Sequence, residues 1–116
     1  MQTMKIPPEA WVRRLNEFTK IHEEWVVSLD VVGPDLGAQP QIDSLPLIGV
    51  SADRVNHDGT IAVSVAQPAG GHLTHIIEAV THIYIERTDE GADVALDIES
   101  ADGTKTILRL RAAPSR

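Results

Sequence analysis

Between residues 7 and 22 the apolar positions fall at helical spacing. Trp11, Leu15, Phe18 and His22 recur at steps of four, three and four, with Val12 and Ile21 beside them. One such stripe on a 3.6-residue period predicts an amphipathic helix over 7–22 that packs its stripe on the rest of the domain. Pro7 and Pro8 suit only a first turn, where an amide has no intrahelical acceptor to lose. Glu9 near the start and Lys20 near the end both complement the helix dipole.

After Glu23 and Glu24 the period drops to two. Trp25, Val27, Leu29 and Val31 alternate with Val26, Ser28, Asp30 and Val32, the pattern of a half-buried strand. Three prolines and two glycines then crowd residues 33–46. That density predicts a long loop, and long loops on a strand-rich scaffold are places where binding concentrates.

From residue 47 onward the alternation predicts strands joined by turns. Ile48, Val50 and Ala52 lead through Asn56-His57-Asp58-Gly59 to Ile61, Val63 and Val65, and a turn at 56–59 would set Val50 opposite Val65 and Ala52 opposite Val63. Pro68-Ala69-Gly70-Gly71 ends that pair. Strands at about 73–77 and 81–87 follow, with a bend or bulge near Glu78–Val80. In the last hairpin a two-residue turn at Asp102-Gly103 would oppose Leu96 to Arg109. A three-residue loop, Ala101 to Gly103 with Gly103 left-handed, instead pairs Leu96 with Leu108, Val94 with Leu110, Glu99 with Lys105 and Asp93 with Arg111. The second register keeps one face apolar and sets opposite charges on the other, so it is the one predicted.

These elements specify an α+β fold over a single domain, 1–116. One N-terminal amphipathic helix precedes six to seven short antiparallel strands in the region 25–111. The strands form a small barrel or strongly twisted sheet, with the helix over one face or open end. The tail 112–116 reads as frayed.

Composition narrows the chemistry. The chain carries no cysteine among its 116 residues, which removes disulfides, thiolate zinc sites and cysteine nucleophiles. Ten Lys and Arg against seventeen Asp and Glu give a net charge of −7, an acidic balance that argues against nucleic acid as a partner. No apolar run approaches the ~18 residues of a membrane span, and the first residues lack the apolar core of a secretory signal, so the expected location is the cytoplasm, away from membranes.

Histidine is the main remaining resource. His72, His75 and His82 lie close in sequence, and three imidazoles with an open position make a catalytic zinc site. On a regular strand, however, residues three or seven apart point to opposite faces, so convergence would require a bulge or a loop. No Gly-x-Ser-x-Gly elbow and no phosphate-cradling glycine loop is present. Asp89, Glu90, Asp93, Asp97, Glu99 and Asp102 form an acidic run without the spacing of a calcium loop. No cofactor is implied.

Val32-Gly33-Pro34-Asp35-Leu36-Gly37-Ala38-Gln39, His72-Leu73-Thr74-His75 and Asp97 to Thr106, together with the Trp11 helix, resemble a family of short stand-alone bacterial proteins classed as a domain of unknown function. The resemblance implies a single-domain bacterial protein and carries over no functional residue.

The sequence therefore favours a non-enzymatic binding or regulatory module for a protein or a small polar ligand. Its surface would come from the loop at 33–46 and the turn at 67–75, with Asp35, Gln39, Gln41, His72 and His75 as candidate ligand-binding residues. The alternative is a metal-binding protein or metal-dependent hydrolase using His72, His75 and His82, with Glu78 or Glu86 as further ligand or base. A homodimer through an exposed strand edge is compatible with either.

Overall fold

The computed structural model describes residues 1–35, 37–53 and 59–112. Helix α1, Trp11–His22, is preceded by a 3-10 turn at Pro8–Ala10 and buries Trp11, Leu15, Phe18 and His22, the predicted stripe. Among the described residues eight strands accompany it: β1 Gln2–Ile6, β2 Val26–Gly33, β3 Gly37–Ala52, β4 Ile61–Ala66, β5 His72–Ile77, β6 Val80–Arg87, β7 Asp93–Ser100 and β8 Lys105–Arg111. They form one antiparallel sheet in the order β1-β6-β7-β8-β2-β3-β4-β5, which does not close on itself into a barrel.

Two strands escape the sequence reading. The short β1 lies against β6, setting Ile6 opposite Ile83 and Met4 opposite Ile85. The other is the expected loop at 33–46, most of which is strand: β3 runs for sixteen residues and pairs first with β2 and then with β4. Its prolines are tolerated because residues 37–46 pair on one side only, so a missing N–H on the other side breaks no ladder bond. Pro40 sits opposite Asp30 and Pro46 opposite Val26. The ladder absorbs extra chain on β3 by a bulge: Val27 pairs with Leu45 but Leu29 with Ile42, and Ser44 takes a positive φ of 54° while its N–H donates to Ser28 Oγ.

The pairing of β3 with β4 is also shifted from expectation. Val50 faces Val63 and Ala52 faces Ile61, two residues away from the predicted register. A shift of two preserves the face of every side chain, so Val50, Ile61, Val63 and Val65 remain buried. The predicted turn at 56–59 falls largely on residues outside those described, as does most of the tail. The hairpin β7–β8 has the predicted register, with Leu96 opposite Leu108 and Glu99 opposite Lys105. Asp93 is the exception: its carboxylate is taken by Arg87 at 2.6 Å rather than by Arg111.

The core lies on the concave side of the curled sheet and against α1. Leu15, Phe18, Val27, Leu29, Ile83, Leu96, Ile98 and Leu108 are all buried there. The helix also seals an edge. Thr19 Oγ1 donates to the Val50 carbonyl at 3.0 Å and accepts from the Val50 N–H at 2.9 Å, so one hydroxyl occupies the place that a neighbouring strand would take beside the second half of β3. His22 is fully buried, its Nδ1 donating to the Phe18 carbonyl at 2.7 Å and its Nε2 lying 3.2 Å from Asp93.

Candidate functional site

The inward faces of β7, β8 and β2 change character along their length. At the helix end the inward residues are Leu96, Leu108, Val27 and Leu29, and all are buried. Toward the β7–β8 turn they become Thr106, Ser100 and Thr104. Thr106 is still buried, whereas Ser100 and Thr104 beyond it are only half-buried, because each further hydroxyl taken into the dry interior would need a partner there. The curled sheet there opens into a groove.

The groove encloses about 450 Å³ and is lined by Val31, Gln39 and Gln41 on one side, by residues 75–78 on another, and by Ser100, Asp102, Thr104 and Thr106 below. That volume falls in the range of small-molecule sites. Its position depends on a tight connection. Only Glu78 and Ala79 link β5 to β6; Ala79 has a positive φ of 52°, and its carbonyl accepts from Ala101 N–H at 2.9 Å. This bond ties the end of β5 to the tip of the β7–β8 hairpin and so fixes one end of the groove. The bend expected at 78–80 is thus present and helps to build the site.

Three of the expected ligand-binding residues, Gln39, Gln41 and His75, line this groove. Gln39 lies opposite Val31 on the β2–β3 ladder, and Gln41 Nε2 donates to the Gln39 carbonyl at 3.4 Å. His75 lies opposite Val63, one inward position from Ile77. Asp35 sits in the exposed β2–β3 turn, and His72 is exposed at the start of β5 opposite Ala66; neither lines the groove.

The three histidines put forward as metal ligands are not brought together. The β4–β5 ladder is unbroken, so His72 and His75, three residues apart, face opposite sides. His82 lies on the outer face of β6, its ring near Thr81, Glu99 and Tyr84. Among the described residues no three His, Asp or Glu side chains are grouped to hold a metal ion.

The charges of the groove are one-sided. Asp102 accepts from the Thr104 N–H at 2.9 Å, and hydrogen bonds from Thr104 hold its carboxyl below the usual carboxylate range. Burial pushes the His75 imidazole below its ordinary value, so at neutral pH it is uncharged. Glu78 adds a second carboxylate, and no Lys or Arg is among the described residues that line the groove. Sequence reasoning missed Ser100, Asp102, Thr104 and Thr106 as groove residues, and it considered Glu78 only as a partner to a metal. Their signal was the inward column of the last hairpin, where the spacing that begins Leu96, Ile98 continues into Ser100, and Leu108 is preceded by Thr106 and Thr104.

The other notable group of acids lies on the convex face. Asp97, opposite Tyr84 on the β6–β7 ladder, has its carboxyl pushed up to about 6 by burial, by a side-chain hydrogen bond to Glu86 and by the Glu86 charge. Its Oδ1 is buried without a hydrogen-bond partner among the described residues.

Comparison with known proteins agrees with the resemblance noted in the sequence. A family model described as a family of unknown function, DUF5335, matches residues 2–115. The chain belongs to that family. An uncharacterized protein of Aquifex aeolicus (strain VF5) is 28% identical over 113 residues, which cover 97% of this chain and 96% of that protein. No solved structure matches the chain. The family carries no assigned function. Among the described residues no helix is long and apolar enough to cross a membrane.

Proposed function

We propose that the protein is a non-enzymatic binding module whose groove takes a polar, positively charged guest. The observation that carries this reading is the groove's charge: two carboxylates, Glu78 and Asp102, with no lining cation among the described residues and with His75 uncharged. Val31 and Ile77 supply apolar contact, while Gln39, Gln41 and Thr104 offer hydrogen bonds that fix orientation, the usual composition of a ligand site.

Chemistry in the groove is disfavoured by the same residues. Asp102 is the carboxylate bonded to a groove hydroxyl, that of Thr104, yet those bonds depress its proton affinity and make it a fixed charge rather than a general base. A nucleophile–base pair needs the opposite tuning.

The test is a fragment set balanced in amines, carboxylates and neutral polyols, read by chemical-shift changes on the full chain. Amines should shift resonances of residues 75–78 and 100–106, and Glu78→Gln with Asp102→Asn should abolish the shifts. Hits without charge preference, or hits that map instead to a second cleft lined by Pro8, Trp11, Ala52 and Thr60, would overturn the reading.

A further inference from the structure

A free strand edge is a template for pairing, and natural sheets guard theirs with charge, proline, bulges or a covering element. Among the described residues this sheet guards all but one. The edge strand β1 carries Lys5 and the N-terminal ammonium, which is paired with Asp89 at 2.8 Å. The open side of residues 37–46 in β3 carries Pro40, Pro46 and the bulge at Ser44, and the second half of β3 is covered by Thr19 of α1. Strand β5, at the far end of the sheet, is different. Among the described residues it pairs with β4 alone, and its sequence, His-Leu-Thr-His-Ile-Ile, contains no Lys, Arg, Asp, Glu or Pro. Leu73 and Ile76 stand 39% and 50% exposed on its two faces.

This unguarded edge borders the groove, since residues 75–78 form one of its walls. We propose that the guest is an extended peptide that hydrogen-bonds to the free edge of β5 as an added strand and sets a Lys or Arg side chain against Glu78 and Asp102. The inference rests on the reading of the groove as a binding site and names the class of its occupant. Main-chain bonds would supply affinity, and alternate side chains would meet Leu73 on one face and Ile76 on the other, the division of labour in strand addition. Charge selects the peptide: two carboxylates without a lining cation favour a basic residue and reject an acidic one. Size selects a single strand. About 450 Å³ admits a short length of chain, whereas the sheet of a second copy would also bring another −7 of net charge.

The experiment is selection of random octapeptides, displayed on phage, against the full chain, followed by calorimetry with the best peptide made synthetically. Enriched sequences should hold a Lys or Arg at a fixed place among β-branched residues. The synthetic peptide should slow amide exchange along residues 72–77, and N-methylation of its alternate amides should abolish binding. Glu78→Gln with Asp102→Asn should weaken binding by about tenfold or more, in line with loss of a charge-assisted contact. In parallel, spermidine and Nα-acetyl-lysine methylamide are titrated as small cations. If they bind in the groove while no peptide binds more tightly, strand addition is overturned and the groove reading stands. If neither class binds, both are overturned. A dimeric mass at micromolar concentration, with residues 72–77 protected in the absence of any peptide, would make a second copy the occupant and overturn the proposal.

Discussion

Replacing Asp97 by Asn should make the protein more stable at neutral pH. In the native state this carboxyl titrates at about 6 against an ordinary 3.8, because it is partly desolvated and faces Glu86. For an acid the raised value means that the folded chain holds its proton more tightly than the unfolded chain does. Stability is therefore fullest below about pH 4, falls as pH rises toward 6, and stays low above that. A lift of that size corresponds to about 3 kcal/mol at 1.36 kcal/mol per tenfold change in proton affinity. Asp97 is only half-buried, so solvent screening reduces the realised penalty to roughly 1 kcal/mol. Asn at 97 carries no charge, and its amide can donate to Glu86 where the shared proton did. Urea unfolding followed by tryptophan fluorescence, at pH 4, 5, 6 and 7.5, measures the difference between variant and parent. The expected result is a gain of about 1 kcal/mol at pH 7.5, or about 4 °C in Tm for a domain of this size, shrinking toward zero at pH 4. Equal or lower stability of the variant at pH 7.5, with an unchanged slope between pH 4 and 6, would refute the reasoning.

Two further substitutions test how the sheet is held open. Thr19→Val removes the hydroxyl that satisfies both backbone groups of Val50 and leaves them facing an apolar methyl; a loss of about 1–3 kcal/mol is expected in chemical denaturation, and a loss under ~0.5 kcal/mol would mean that water replaces the hydroxyl at no cost. Gly59→Ala should cost more than the ~1–2 kcal/mol of a left-handed residue, because Gly59 has φ +78° and a Cβ there would lie 2.7 Å from the Val80 carbonyl oxygen; calorimetric Tm should drop by several degrees, and an unchanged Tm would show that the 59–60 segment shifts freely.

Local pattern was sufficient for the helix, for most strands and for the last hairpin. The stripe of Trp11, Leu15, Phe18 and His22 has one possible buried face, and an apolar column in the β7–β8 hairpin survives only in the register that pairs Leu96 with Leu108. Residues 33–46 could not be read this way. Proline counts against a strand only when both of its edges are paired, and which edges are paired is a property of the assembled sheet. For the same reason the prolines argued for a loop, while the fold uses the segment as the open side of β3. The two-residue slip between β3 and β4 also escaped, since it leaves every side chain on its predicted face and the sequence contains no penalty for it.

The candidate site divides along the same line. Gln39, Gln41 and His75 were singled out from the sequence, but nothing local says that positions 31, 39, 75 and 106 border one space. That neighbourhood is created by the curl of the sheet and by the Ala79–Ala101 bond, which joins segments more than twenty residues apart. The histidines show the converse. Their closeness in sequence suggested a metal site, and the period-two geometry of β5 separated His72 from His75. Sequence by itself determined which faces are apolar, because periodicity is local. Only the tertiary structure decided which polar positions face one another and which strand edge is left unguarded, because both depend on contacts between segments distant in the chain.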